Sequence, residues 1–199
     1  GQMERTGLWP SKVTPATVTE QELHVQAKMQ RAALTYGQVV FFDDEIAGAV
    51  WEQTLAEVAK GELDGPLDLS QVPDHYPLSR RFGVKQNDKI RCVDDFSWSG
   101  INSAAQPLES PKPHTLDVIG GMMLAVMNQS PPGLQWLARS FDLKSAYRQC
   151  AVHPDARRFS YIVVGDPATS TLKAFRLRAL PFGSVKSVHS FLRIAHSLW

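Results

Sequence analysis

The stretch Phe159-Ser-Tyr-Ile-Val-Val-Gly-Asp-Pro-Ala-Thr-Ser-Thr-Leu-Lys-Ala-Phe-Arg-Leu177 decides the fold class of this chain. Two runs rich in β-branched and aromatic residues enclose a turn-forming segment that contains Gly165 and Pro167, which predicts a β-hairpin. A second hairpin, with a basic character, is predicted from about Leu78 to Val93. The sequence therefore predicts strands in its second half.

Helical patterns come before and between these hairpins. Thr19 and Glu22 form a capping-box pattern that predicts a helix to about Leu34. Asp43 or Asp44 is predicted to cap a second helix to about Lys60, and Thr115 a third to about Met127. The second helix is predicted to bury Ile46, Val50, Trp51, Leu55 and Val58, and the third to fill the core with Met122, Met123 and Met127.

The remaining segments complete an α+β prediction. Residues Gly61–Pro77 contain two glycines and three prolines and are predicted to form a loop. Trp136–Phe141 is predicted to be a strand that joins the 159–177 hairpin in an antiparallel sheet backed by helices. We predict an acidic helical leader in residues 1–77 and a second unit in residues 78–199.

Charge divides the chain in the same way. The net charge is only +1, but residues 20–75 carry 11 acidic and 3 basic side chains, whereas residues 76–199 carry 16 basic and 8 acidic ones. This asymmetry indicates a surface for a polyanion on the second part. The alternative is that both sets of charges are only solvated faces.

Asp142 is the first candidate for a metal ligand. It follows the predicted strand, and Lys144, Tyr147 and Arg148 add positive charge and a flat ring close by. Magnesium prefers hard oxygen ligands on a rigid element, with donors nearby to place a phosphate. The competing interpretation is a turn former or the N-cap of a following helix.

Three ordered motifs resemble the reverse transcriptases. Val84-Lys-Gln-Asn-Asp-Lys-Ile-Arg-Cys-Val-Asp-Asp-Phe96, followed by Ser99-Gly-Ile-Asn102, is similar to the fingers hairpin of that family. Phe141-Asp-Leu-Lys-Ser-Ala-Tyr-Arg-Gln149 resembles the first palm motif, and Leu180-Pro-Phe-Gly-Ser184 the next one. The resemblance covers roughly residues 76 to 198 and implies a right-hand polymerase fold with fingers and part of the palm.

The resemblance implies a role for each matched residue. Asp142 would be the first metal-binding aspartate, and the backbone carbonyl of Leu143 would face the metal, Mg²⁺ or Mn²⁺. Tyr147 would lie beneath the nucleotide sugar and exclude a 2′-hydroxyl, which favours DNA over RNA synthesis. The triphosphate would be held by Lys85 and Arg91, and the nucleotide and primer end approached by Phe182 and Gly183.

Other roles for these residues stay open. Tyr147 could be a core aromatic, and Lys85 and Arg91 could belong to a solvated hairpin. Asn102 is predicted to be a turn residue, and Ser184 a helix N-cap. Asp94 and Asp95 together resemble the family's catalytic pair, but in permuted order; we favour Asp95 as a residue that orders the hairpin.

The implied function is RNA-directed DNA polymerisation by a retroelement protein, with an RNA or DNA template, a primer and deoxynucleoside triphosphates as partners. The family completes its site with an aromatic-x-Asp-Asp hairpin, which does not follow Gly183 in these 199 residues. We therefore expect a fragment that is inactive alone and prone to self-association. The alternative is a decayed or repurposed module that binds nucleic acid without catalysis. Tyr147 disfavours a third alternative, an RNA-synthesising palm polymerase.

Several classes of protein are disfavoured by the sequence. No apolar run approaches the ~20 residues of a membrane span, and the first residues lack the apolar region of a signal peptide. The chain has two cysteines, Cys92 and Cys150, without zinc-ligand spacing, so we expect reduced thiols. An intracellular protein without a membrane partner is expected.

Overall fold

The computed structural model describes residues 15–35, 44–106, 115–137 and 142–198. The described helices are α1 (Glu20–Thr35), α2 (Asp44–Ala59), α3 (Ile101–Ala104), α4 (Leu116–Asn128) and α5 (Val185–Leu198). The strands are β1 (Leu63–Asp68), β2 (Leu78–Gln86), β3 (Lys89–Asp95), β4 (Tyr161–Asp166) and β5 (Thr171–Leu177). Short 3₁₀-helices span Leu69–Gln71, Ala146–Gln149 and Pro154–Phe159.

Within these ranges, five strands form one mixed sheet in the order β1-β5-β4-β2-β3. Neighbours are antiparallel except for β2 and β4, which run parallel over Leu78–Arg80 and Tyr161–Val163. The α+β prediction is confirmed, but the wholly antiparallel sheet is wrong at this pair. A long connection separates β3 from β4, so no tight turn forces β4 to run against β2.

Both predicted hairpins are present. In the first, β2 and β3 pair from Arg80↔Asp95 to Gln86↔Lys89, and Asn87 at the tip takes a φ of 54°. In the second, β4 and β5 pair from Tyr161↔Arg176 to Asp166↔Thr171. Asparagine tolerates the left-handed backbone that such a turn needs, which explains the tight connection at the tip of the first hairpin.

The predicted loop at Gly61–Pro77 is partly wrong, because it contains β1. This strand pairs with β5 through Leu63↔Leu177 and Leu67↔Ala174, with a register shift between Asp64 and Leu67. The shift falls at Gly65–Pro66, a peptide bond in the cis form. Proline lacks a backbone donor and is tolerated at sheet edges and bulges, which is where β1 carries it.

Helices cover both faces of the sheet. On one face, α2 packs against a cluster of Val50, Leu63, Phe96, Ile162, Val164, Phe175 and Leu177. On the other, Leu34 from α1 joins Val72, Leu78, Tyr161, Val163 and Ala174. Each fully buried side chain of this size contributes about 1.5–3 kcal/mol relative to exposure. Strands β4 and β5, the centre of both clusters, thus form the core of the fold.

The first two helices follow their predicted bounds closely. The capping box of α1 is present, since the Thr19 backbone N–H donates to Glu22 Oε2 at 2.8 Å and the Glu22 N–H donates to Thr19 Oγ1 at 3.2 Å. In α2 the prediction that Leu55 is buried is wrong, because its side chain is 38% exposed. Thr54 and Glu57 are buried instead. The reason is the side chain of Arg81 on β2, whose contacts are described below.

Helix α4 has the predicted bounds and its Thr115 cap, whose Oγ1 accepts from the Val118 N–H at 3.4 Å. The prediction that it fills the core is wrong, because Met122, Met123 and Met127 are about half exposed or more. The predicted strand is absent at Trp136 and Leu137, both exposed, and its other residues, 138–141, lie outside the described ranges. No helix in the described ranges has the length and hydropathy needed to cross a membrane.

Candidate functional site

The tip of the β2–β3 hairpin carries the two predicted phosphate ligands. Lys85 and Arg91 are both exposed. Lys85 pairs with Ile90 and Arg91 with Val84, so the two basic residues occupy adjacent rungs of the ladder. Side chains on adjacent rungs leave opposite faces of a ribbon. The hairpin therefore presents Arg91 on one face and Lys85 on the other, and does not bring both to one point.

The face that carries Arg91 has an ordered base. The Arg80 guanidinium lies 5.5 Å from the Trp98 ring and 5.8 Å from the Phe82 ring, and its Nη2 donates to Asp95 Oδ2 at 2.8 Å. Asp95 also accepts from the Trp98 N–H at 2.9 Å. Burial opposes the charge of Asp95, but these donors hold its pKa below the ordinary value. The prediction that Asp95 orders the hairpin is confirmed.

Asp94 lies on the opposite face and is buried in an ion pair. Arg81 Nε donates to Asp94 Oδ1 at 2.6 Å, and Arg81 Nη2 to Asp94 Oδ2 at 3.1 Å. The side chains of Arg81 and Asp94 are 1% and 2% exposed. Because Asp94 and Asp95 leave opposite faces of the strand, they do not form a carboxylate pair for one metal. This argues against the permuted catalytic pair.

The ion pair is part of a larger cluster, which we call the Glu57 cluster: Glu57, Arg81, Asp94 and Arg148. Glu57 Oε2 accepts from Arg81 Nη1 at 2.9 Å and from Arg148 Nη2 at 3.0 Å. Burial opposes the charge of Arg81, yet Asp94 and Glu57 outweigh it and raise the pKa of the guanidinium. Near this cluster, burial raises the pKa of the Cys92 thiol to about 11.

Arg148, predicted to add positive charge near Asp142, is therefore buried and paired with carboxylates instead. Its side chain is 6% exposed, and besides Glu57 it lies 3.8 Å from Asp94 Oδ2 and 4.0 Å from Glu62 Oε2. Its Nη1 has no acceptor among the described residues. A buried donor without a partner costs about 1–3 kcal/mol. The one signal of this arrangement in the sequence is Glu57 itself, an acid on the apolar stripe of α2.

Tyr147 lies in the Ala146–Gln149 turn, next to Arg148. Its ring is half-buried, with its centroid 5.0 Å from that of Phe182 and 5.4 Å from that of Phe191. The turn begins at Ser145, which has a left-handed backbone with φ 55°. Such a conformation costs a non-glycine residue roughly 1–2 kcal/mol, so the surroundings must hold it in place. Two of the predicted nucleotide residues, Tyr147 and Phe182, are therefore in contact.

The Phe182–Gly183 turn packs against β3. Gly183 has φ 88°, and a Cβ there would lie 2.3 Å from the carbonyl oxygen of Asp94, so only glycine fits. Asn102 holds the turn from the other side: its Nδ2 donates to the Gly183 carbonyl and its Oδ1 accepts from the Val185 N–H, both at 3.0 Å. Ser184 directly precedes α5, at the predicted N-cap position, and its carbonyl accepts from the Ser187 N–H at 3.1 Å, while Asn102 takes the first N–H of the helix.

Asp142 and Leu143 lie in an exposed irregular segment. In the described part of the chain, no group of three or more His, Cys, Asp or Glu side chains is placed to hold a metal ion. The donor set around Asp142 therefore does not by itself fit a bound divalent cation. Tyr147, Phe182, Gly183 and Asn102 make the mutual contacts described above. The described residues do not assemble a comparable set of metal ligands around Asp142.

No family model matches the chain, and no curated protein matches it either.

Proposed function

We propose that the chain is the nucleotide-positioning part of an RNA-directed DNA polymerase of the reverse transcriptase type. One observation carries this proposal. Tyr147, from the first palm motif, and Phe182, from the next one, are more than thirty residues apart in sequence, yet their ring centroids lie 5.0 Å apart. Asn102, from the fingers motif, donates to the carbonyl of Gly183, the neighbour of Phe182. Three separate motifs of one resemblance thus meet in one place.

The side chains in this place suit a deoxynucleotide. A half-buried tyrosine ring supported by two phenylalanines is a rigid surface for a sugar, and its bulk would exclude a 2′-hydroxyl. The exposed ring of Phe182 adds apolar area at the rim. The resemblance adds Arg91, which offers a forked set of donors for phosphate oxygens and lies on the face of the hairpin opposite the Glu57 cluster.

The metal belongs to the proposal only through the resemblance. Mg²⁺ or Mn²⁺ would neutralise charge on the phosphates and on the attacking and leaving oxygens, with Asp142 and Leu143 as its ligands. Because the described residues do not assemble a metal site, no transfer step is assigned to them. Their role in the proposal is to bind and orient the nucleotide beside a template and primer.

The test is sugar discrimination in nucleotide binding. We expect the chain, with a primer–template duplex present, to bind dCTP more tightly than CTP, because the two differ only in the 2′-hydroxyl, and Tyr147→Ala to reduce this preference by about tenfold. Tyr147→Phe keeps the ring and is the matched control, so it should retain the preference. Isothermal titration provides the measurement. Equal preference in the wild type and in Tyr147→Ala would contradict the steric role.

A nucleic-acid-binding module without catalysis is the second candidate, and the exposed Lys85 and Arg91 of the β2–β3 hairpin favour it as cations for a phosphate backbone. Primer extension separates the two. A chain lengthened past Trp199 to include an Asp-Asp hairpin should extend primers if the first candidate holds, and Asp142→Ala should abolish extension. Duplex binding without any extension would support the second.

A further inference from the structure

The Glu57 cluster lies directly behind the Tyr147 turn. We propose that Glu57 and Arg148 are positioning residues that fix the Tyr147 ring, and through it the preference for deoxyribose over ribose. This inference rests on the proposed function. It assigns the sugar preference partly to residues that never touch the nucleotide.

The first support is the geometry of the turn. Tyr147 and Arg148 are consecutive residues of a 3₁₀-helix, where successive side chains point about 120° apart. Arg148 reaches Glu57 on α2, and Tyr147 reaches Phe182 and Phe191. The turn is therefore clamped between an ion pair on one side and ring contacts on the other. Releasing the ion pair leaves the ring contacts and the backbone bond from Leu180 to Cys150 as restraints on the turn.

The second support is that the turn has few restraints of its own. The Arg148 N–H donates to the Ser145 carbonyl at 2.8 Å, the Cys150 N–H to the Tyr147 carbonyl at 3.0 Å, and Gln149 Nε2 to the Lys144 carbonyl at 2.8 Å. All three bonds lie within the turn and the residues beside it. They preserve its shape, and the end of the turn is tied to the segment after β5, where the Leu180 N–H donates to the Cys150 carbonyl at 2.8 Å. Nearer the left-handed Ser145, the Arg148 side chain supplies the contact to α2 that holds the turn against the helix.

The third support is that the Glu57 cluster leaves part of the Arg148 guanidinium without a hydrogen-bond acceptor among the described residues. A buried arginine that leaves Nη1 without an acceptor among the described residues is a poor choice for stability alone. An apolar side chain would fill the same place without burying a charge. The arrangement is explained if the fixed direction of the guanidinium matters for the residue beside it.

The cluster also reaches the other nucleotide element. Asp94 binds Arg81 through its side chain, and its carbonyl oxygen is the atom against which Gly183 packs. Arg81 in turn donates to Glu57. The positions of Tyr147 and Phe182 therefore both depend on the buried Glu57 carboxylate. Glu57 Oε2 is shared by both guanidinium groups, and neutralising Glu57 weakens both anchors together.

The experiment observes Tyr147 directly, without a nucleotide. The chain contains four tyrosines, so labelling with 3-fluorotyrosine gives four ¹⁹F signals, and loss of one in Tyr147→Phe assigns it. Signals are compared in wild type, Glu57→Gln, Arg148→Met and the double variant. Arg158→Met is the matched control, since Arg158 forms an exposed pair with Glu20 at 3.1 Å, away from the site.

We expect Glu57→Gln and Arg148→Met to move the Tyr147 signal toward that of free fluorotyrosine and to lower the dCTP-to-CTP preference by about tenfold. The double variant should add little, because each single change already removes the contact between Glu57 and Arg148. Arg148→Lys keeps the charge and should restore part of both effects; it also serves as the test if Arg148→Met does not fold.

Three outcomes decide the matter. An unmoved Tyr147 signal in folded Glu57→Gln and Arg148 variants overturns the inference, even if urea unfolding shows a loss of stability. A moved signal with an unchanged dCTP-to-CTP preference overturns the link to sugar selection. A moved signal in a chain whose wild type binds neither nucleotide leaves Glu57 and Arg148 as positioning residues for Tyr147 but overturns the proposed function.

Discussion

Two regions that the sequence assigns to the site or to the core around it differ in their surroundings. One is the base of the β2–β3 hairpin, and the other is the segment that contains the apolar helix α4 and Asp142. At the hairpin base, Arg81 and Asp94 are paired and covered by α2. Among the described residues between Leu116 and Leu143, most large apolar side chains are exposed, and α4 carries a single charge, Asp117. The comparison teaches that paired charges, more than apolar composition, accompany burial around this site.

The largest effect should come from breaking the hairpin base. Arg81→Met leaves Asp94 buried without its cation, so we expect the free energy of unfolding to fall by about 3–5 kcal/mol. Urea unfolding followed by circular dichroism measures it. The exposed pair at Arg158 is the control, and Arg158→Met should cost less than about 1 kcal/mol. Similar losses for both variants would break the comparison.

Gly183→Ala should have the next largest effect. The new Cβ meets the Asp94 carbonyl oxygen and requires a left-handed backbone, so we expect a loss of about 2–5 kcal/mol in unfolding free energy. Gly61 separates the two causes, because it has φ 74° but nothing within 4 Å of its Cβ position. Gly61→Ala should cost only about 1–2 kcal/mol. If Gly183→Ala and Gly61→Ala lower the free energy of unfolding by the same amount, the close approach of Gly183 to the Asp94 carbonyl oxygen is wrong.

Asn102→Ala should cost about 1–2 kcal/mol, because the Val185 N–H and the Gly183 carbonyl both lose their partner. Asn102→Asp sharpens the result, since it keeps an acceptor for Val185 but loses the donor for Gly183. Amide exchange should therefore speed up at Val185 in Asn102→Ala and stay slow in Asn102→Asp. Fast exchange in both variants would show that the cap depends on the whole amide.

The smallest effect is expected in α4. Leu124→Ala should change the unfolding free energy by no more than about 0.5 kcal/mol, because Leu124 is already exposed. Leu63→Ala removes a buried leucine of β1 and should cost about 2–5 kcal/mol. A cost at Leu124 near that of Leu63 would mean that α4 is covered in solution, and the contrast with the hairpin would disappear.

Local patterns in the sequence were sufficient for both hairpins and for the bounds of α1, α2 and α4, because caps and alternation act over a few residues. Strand β1 was missed because Gly65 and Pro66 usually end a strand, and only its edge position beside β5 makes them tolerable. Edge position depends on the order of the strands, which local patterns do not contain.

The site shows the same limit. The sequence named Tyr147 and Phe182, and the structure brings their rings together. Leu55 was predicted to be buried and is exposed, and Arg148, predicted to add positive charge near Asp142, is buried among carboxylates. Both outcomes have one cause. Arg81 points from β2 toward α2, which draws Glu57 inward and, with it, Arg148. A contact between a helix and a strand distant in sequence cannot be obtained from either segment alone.

The order of the strands has a consequence for how two copies of this chain could meet. Strand β1 is one border of the sheet, and there Pro66 lacks an N–H to offer an incoming strand. Strand β3 is the other border, and Lys89 and Arg91 give it positive charge that an identical strand would repel. Proline, bulges and charge are the means by which natural sheets resist lateral growth. Each border of this sheet thus carries its own barrier to fibre-like stacking.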